Sequence, residues 1–254
     1  MPSGVDLSRV KCDGELSMTV SIELPVDGRL CNVMISDPGS LADYGPERLS
    51  EGDYEAIASS DYVCVFNWAS NRRGTELAEE VFRVAKECGR ARTFMDTADP
   101  SQRAPEIPEL VRRVFRSDLL DALGVNENEA RWYAKYAAGV EHDDPLKCAE
   151  AIHRELGLRV DLHTVDYSAC FEGGRAYVAP AFKVDPIIAT GAGDAWNAGN
   201  IYGWSMGLEA QGRLVVANAV AGLYVSTGRH PSRGEVASFI ESGELKGPTI
   251  RVEA

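Results

Sequence analysis

From residue 61 onward the apolar positions alternate between short continuous runs and helical stripes. "DYVCVFN" (61–67) is almost wholly apolar, the pattern of a strand covered on both faces. "GTELAEEVFRVAKECG" (74–89) places Leu77, Ala78, Val81, Phe82, Val84 and Ala85 at helical spacing and closes on Gly89. The same reading gives a strand at 91–96 ("ARTFMD"), a helix at 107–116 and a third strand within 119–125, where the period is ambiguous. Helices follow around 127–139 and at 145–157, then a strand at 158–165 ("LRVDLHTV"). "SACFEGGRAYVAP" (168–180) reads as a hairpin turning at Gly173-Gly174, and 192–243 is mostly helix. Repeated βα units predict an α/β domain with a mainly parallel sheet and helices on both faces.

Residues 17–36, "SMTVSIELPVDGRLCNVMIS", follow another pattern: two β-rich runs flank Asp27-Gly28, a hairpin signal. A lone hairpin is marginal in water, so this one is expected to lie against something. No repeat, low-complexity tract or Gly/Ser-rich linker divides the 254 residues, and they are read as one domain.

Composition narrows the function more than the fold. A net charge of −13 repels phosphate backbones and argues against general nucleic-acid binding, though not against a local cradle for a small phosphate. The six cysteines form no C-x-x-C pair, and His142, His153, His163 and His230 lack metal-ligand spacing. No serine or cysteine has the paired His and Asp of a nucleophilic hydrolase. No window approaches 18 apolar residues and the start lacks an apolar signal core. A cytoplasmic protein without a membrane partner is expected.

The chemistry concentrates in "ATGAGDAWNAGN" (189–200). An extended segment, "FKVDPIIA", leads into Gly191-Ala192-Gly193, and a helix begins near Asp194. Unpaired amides at a helix start and the helix dipole favour an anion there, and small residues let it approach. A tight strand-to-helix turn with Asp194 assisting the cap would look the same. The spacing matches no Walker loop, and Trp196 stands where the dinucleotide fingerprint needs glycine. A carboxylate beside such a cradle makes sense where a hydroxyl lies between them. The hydroxyl would attack a phosphoryl group held by the amides and give its proton to the acid.

"TGAGDAWNAG" closely resembles the second half of the signature of the ribokinase-like, PfkB-type carbohydrate kinases, roughly D-T-x-G-A-G-D followed by a helix. The resemblance implies a ribokinase-like three-layer α/β fold with a small β lid, and phosphoryl transfer to a hydroxyl of a sugar, sugar derivative or nucleoside. It makes Gly191, Ala192 and Gly193 the anion hole and Asp194 the catalytic base. "NENE" supplies Asn126 and Glu129 to the family's N-x-x-E, implying a hydrated Mg²⁺ beside the nucleotide; the same pair also fits a helix-capping box. "LVVANAVAGLYVSTGRHPSRGEVASFI" (214–240) resembles the two closing helices, with Asn218 and Gly222 toward the adenine pocket, although a small-residue face serves close helix packing equally. Residues 10–36 resemble the lid strands, which implies a homodimer formed through the lid. Asn67 and Trp68, at the end of a predicted strand, are candidate substrate contacts. Arg72-Arg73 fit a solvated loop better than a phosphate site.

Three departures qualify these expectations. Ile188-Ala189 replace the family's D-T, which argues against a monovalent cation. The T-L-G loop reads "HTVDYS": Thr164 fits, but Asp166 stands in the glycine's place, leaving ATP and ADP both open as donors. The family's opening strand, substrate-binding aspartate and Gly-Gly motif have no counterpart, and their lack would leave an uncovered sheet edge. Two other readings stay in play: a vitamin-type kinase acting on a pyridoxal- or hydroxymethylpyrimidine-like alcohol, which the lid argues against, and a non-catalytic nucleotide-binding protein.

Overall fold

The structure is a computed structural model describing residues 6–26, 29–87, 89 and 91–247, with the backbone alone for 29–32. The Asp27-Gly28 turn expected in the first hairpin lies outside the described residues. In chain order the elements are β1 (Met18–Val26), β2 (Arg29–Asp37), α1 (Glu51–Ser59), β3 (Tyr62–Phe66), α2 (Gly74–Glu87), β4 (Arg92–Asp96), α3 (Ile107–Leu110) and β5 (Ala122–Val125). Then come α4 (Glu127–Tyr133), α5 (Pro145–Leu156), β6 (Arg159–His163), β7 (Tyr167–Glu172), β8 (Arg175–Pro180), α6 (Ala192–Ser205), α7 (Ala210–Thr227) and α8 (Arg233–Ser242).

The main sheet runs β3-β4-β5-β6-β7-β8 in chain order. β3 to β6 are parallel, and β7 and β8 add as antiparallel strands. Side-chain alternation divides each strand between two layers. Met95, Leu123, Val160, Leu162, Ala169 and Phe171 pack on the face covered by α2, α4 and α5. Phe94, Ala122, Cys170 and Ala179 turn to the other face, where they meet Trp196, Trp204 and Leu214 of α6 and α7.

Local chemistry explains the element ends. α2 buries Ala78, Val81, Phe82 and Ala85. α5 starts on Asp144, whose carboxylate accepts the Leu146 N–H, carries Pro145 at its first position, and stops on Gly157 at φ 74°. Gly173 and Gly174, at φ 59° and 75°, close the β7–β8 hairpin as a turn that needs two left-handed residues. The helices expected at 107–116 and 127–139 both form, but each ends in a π-helical turn, Val111–Phe115 and Ala134–Ala138.

Two expectations need correction. β3 buries only Val63 and leaves Phe66 45% exposed, because among the described residues it is the sheet's edge. The strand expected to be covered on both faces is therefore an edge strand among the described residues. The β1–β2 hairpin does not lie on a core either. Met18, Val20, Ile22, Leu24 and Val26 project from one face of β1 and are 41–59% exposed. The opposite face meets the body of the protein through Ser21 and Glu23.

Candidate active site

Gly191 stands at the N-cap of α6 with φ 86° and ψ 2°, a left-handed conformation that suits glycine. A Cβ there would come 2.7 Å from the Tyr224 hydroxyl, which donates to the Thr190 carbonyl at 3.1 Å. α6 begins at Ala192, two residues earlier than the sequence suggested. The Ala192 amide turns back to the Ala189 carbonyl at 3.2 Å, so it is not free for an anion. The amides of Gly193 and Asp194 sit in the first turn, where a helix supplies no carbonyl. Gly193 lines a cleft of about 640 Å³.

Asp194 is exposed, yet the protein around its carboxyl raises its pKa. Enclosure is the first cause and the negative charge of Asp96 the second, while His163 pulls the other way. A carboxyl raised this way binds a proton more readily than an ordinary aspartate, which suits a base that collects one. Asp96 ends β4, accepting from Asn197 of α6 at 2.7 Å and from the Ala98 N–H at 3.1 Å. Gly124 on β5 permits this approach, since a Cβ would stand 3.2 Å from Asn197 Oδ1. The sequence reading missed both Asp96 and His163. An acid and an imidazole at the carboxyl ends of predicted strands were the available signal.

Asn126 and Glu129 form a complete capping box on α4. The Asn126 side chain accepts the amides of Asn128 and Glu129, and Glu129 accepts the Asn126 N–H at 2.9 Å. Glu129 is 2% exposed, and burial, then Asp96, pushes its carboxyl well above the usual range. These two residues therefore do not fit direct ligation of a metal. Asp96 and Glu127 supply the neighbouring negative charge, and a hydrated Mg²⁺ would meet Asn126 and Glu129 only through its water. Among the described residues no cluster of three or more His, Cys, Asp or Glu is arranged to hold a metal by itself.

The cleft brings Thr164, Asn218 and Gly222 together, as the sequence suggested for a nucleotide site. Its walls include the apolar residues Phe182, Val184, Val225 and Gly222. Asn218 shapes the pocket rather than reading a ligand. Its Oδ1 accepts Trp196 Nε1 at 2.9 Å and its Nδ2 donates to the carbonyls of Ala179 and Pro180. Thr164 donates its hydroxyl to the Tyr167 carbonyl and closes the loop that follows β6. The unwelcome Asp166 is neutralised: Lys246 reaches it at 3.2 Å and also donates to the Val165 carbonyl.

Across the turn, Glu23 of β1 accepts hydrogen bonds from the amides of Ala189 and Thr190 at 2.8 and 3.0 Å, and these bonds lower its pKa. The hairpin is thereby tied to the segment that leads directly into Gly191. Asn67 lies beyond β3 as expected, exposed, in a left-handed conformation, with its N–H on the Asp96 carbonyl. Trp68 does not accompany it. It is 1% exposed, gives its indole N–H to Thr75 and is covered by Arg103 at 4.1 Å, so it is core and not a ligand contact. Arg72 pairs with Asp43, and Arg73 with Glu47 and Glu76, as a surface loop.

The family model for prokaryotic ketohexokinase matches residues 92–242, the span from β4 through α8 that contains every residue lining this cleft except Lys246. The chain belongs to the prokaryotic ketohexokinase family. A ketohexokinase of Haloferax volcanii is 34% identical over 158 residues, a match that spans 58% of this chain and 40% of that relative's length. The fold is that of the ribokinase-like PfkB kinases. A ribokinase of Arabidopsis thaliana, solved with ribose and ATP, superposes with TM-score 0.69 at 20% identity, covering 90% of this chain and 70% of its own. A 2-dehydro-3-deoxygluconokinase of Thermotoga maritima gives TM-score 0.72 at 15% identity, covering 89% and 73%. The hairpin β1–β2 is a small antiparallel sheet separate from the main one, as expected of a small β lid.

Proposed function

We propose that this chain is a nucleotide-dependent kinase that phosphorylates a hydroxyl of a ketohexose in the cytoplasm. The observation that carries this reading is Asp194 in the first turn of an uncapped helix, its carboxyl raised by enclosure and by Asp96, beside a cleft walled in part by apolar residues. The base of ATP would enter between Phe182, Val184 and Val225, with its phosphates toward Gly193 and the positive end of α6. The acceptor would lie between Asp194 and the lid, near Asn67. As the acceptor oxygen bonds to the γ-phosphorus and the bond to the leaving nucleotide breaks, Asp194 receives the hydroxyl proton. The first-turn amides of α6 stabilise the charge on the phosphoryl oxygens. Mg²⁺ arriving with the nucleotide would neutralise phosphate charge next to Asp96, Glu127 and Glu129.

The same reading makes the lid a dimer interface. A row of five exposed apolar side chains on β1, with Val33 and Ile35 opposite on β2, is a surface that a second copy would cover. The free thiols of Cys12, Cys64, Cys148 and Cys170 suit a reducing compartment.

The test is a coupled assay of nucleotide turnover with MgATP and fructose, then other sugars, with Asp194→Asn as the control. Fructose-dependent turnover that falls by about 10²–10⁴ in Asp194→Asn, with nucleotide affinity retained, is the expected result. Nucleotide binding without transfer to any sugar would favour a non-catalytic role. Undiminished turnover in Asp194→Asn would remove the assignment of the base.

A further inference from the structure

His163 closes β6 directly beneath the glycine turn, and the reaction described above gives it no part. Its ring stacks on Trp196 of α6 with centroids 5.0 Å apart and planes at 24°. Nε2 points to the turn: it lies 3.2 Å from where a Cβ on Gly193 would stand. Nδ1 is fully enclosed and has no hydrogen-bond partner among the described residues. An orphaned buried N–H is rarer and costlier than an orphaned acceptor, so the neutral ring keeps its proton on Nε2, the nitrogen beside the cleft. The imidazole lines that cleft together with Ala192 and Gly193.

We propose that His163 is a further catalytic residue, whose Nε2–H donates to an oxygen of the phosphoryl group in flight. It stands beside the first-turn amides of α6, where the Ala192 amide is turned away toward Ala189. This inference rests on the reading of Asp194 and the α6 turn given above. Proton and bond bookkeeping do not change: the acceptor's proton goes to Asp194 and His163 keeps its own. The surroundings favour a neutral donor. Four carboxylates face the ring, Asp96 from β4, Glu127 from α4, Asp161 from β6 and Asp194 from α6, and each favours the imidazolium. Burial opposes them and prevails, so the pKa of the ring lies below that of an ordinary histidine. The neutral ring can donate without quenching the negative charge that Asp194 needs as a base.

Two substitutions separate this role from packing. His163→Phe keeps a flat ring on Trp196 and removes the donor. His163→Gln gives up the ring and restores an N–H. With MgATP and fructose, His163→Phe is expected to lose about 10²-fold in kcat while both KM values stay within a few-fold, as for loss of one oxyanion donor. His163→Gln recovers part of that loss. A His163→Phe kcat within about threefold of wild type, at unchanged melting temperature, overturns the proposal. Asp194→Asn in the same series tells the two readings apart. If Asp194→Asn loses turnover and His163→Phe does not, only the role of His163 fails. If Asp194→Asn keeps turnover, the reading of the site itself fails. Independently of any acceptor, the imidazole nitrogens can be followed by NMR as MgADP and aluminium fluoride are added. A shift confined to Nε2 with its proton retained supports the contact, and an unmoved resonance overturns it.

Discussion

Replacing Gly191 by alanine tests whether the turn before α6 is held as described. At φ 86° an L-residue costs about 1–2 kcal/mol more than glycine. The new Cβ would also stand 2.7 Å from Tyr224 Oη, so the hydroxyl has to leave the Thr190 carbonyl it binds at 3.1 Å. Losing that bond adds about 0.5–1.5 kcal/mol. The variant is therefore expected to be less stable by about 2–3 kcal/mol, a fall in Tm of roughly 4–12 °C for a chain of this size. A double-mutant cycle isolates the second contribution. Tyr224→Phe alone loses the same hydrogen bond, about 1 kcal/mol. In the Tyr224→Phe background Gly191→Ala meets no hydroxyl and has no bond left to break, so the backbone penalty remains with only the closer ring carbons, at 3.2 and 3.3 Å, to accommodate. The double variant should be more stable than the sum of the singles by about 1 kcal/mol, measured by urea unfolding at constant m-value. Additivity within about 0.3–0.5 kcal/mol would refute the contact between Gly191 and Tyr224.

Two other sites give predictions of different kinds. Glu129 has a raised pKa in the folded protein, so its contribution favours folding at low pH and is lost as pH rises from about 4.5 through the folded value. Glu129→Gln should flatten the fall of Tm as pH rises above about 4.5 while leaving the α4 cap able to accept the Asn126 N–H, and an unchanged pH slope would contradict the buried-carboxyl account. Val20→Asp with Ile22→Asp on the outer face of the lid should convert a dimer to monomer in sedimentation without lowering Tm. A wild-type protein that is already monomeric at high concentration would dispose of the lid interface.

What could be read in advance was whatever local periodicity decides. α2 announces itself by its apolar stripe, α5 by Asp144, Pro145 and Gly157, the β7–β8 hairpin by Gly173-Gly174, and the turn before α6 by its glycines and its acid. α1 carries no such stripe. It buries no residue and is held by the Ser50–Asp53 capping box, so a search for apolar spacing passes it by. Trp68 looked like a ligand contact because it follows a strand, but Arg103, 35 residues onward, covers its ring. Asp96 and His163 were hidden for a similar reason. Each is unremarkable beside its own neighbours in sequence, and only the parallel order of β4, β5 and β6 brings both to the foot of α6. The Asn126–Glu129 pair fitted two readings, a cap and a partner of hydrated Mg²⁺; the structure forms the cap.

The order of the main sheet also bears on how the chain matures. Each strand from β4 to β8 pairs with the one made just before it, so the sheet can extend as the ribosome delivers it. The lid hairpin cannot follow that schedule. Glu23 finds its partners only at Ala189 and Thr190, 166 positions later at the nearer of the two. At about 5–20 residues per second that separation is roughly 8–33 s of synthesis. Throughout that time the hairpin lacks its anchor and its apolar row stays exposed. A nascent-chain chaperone would meet the lid first.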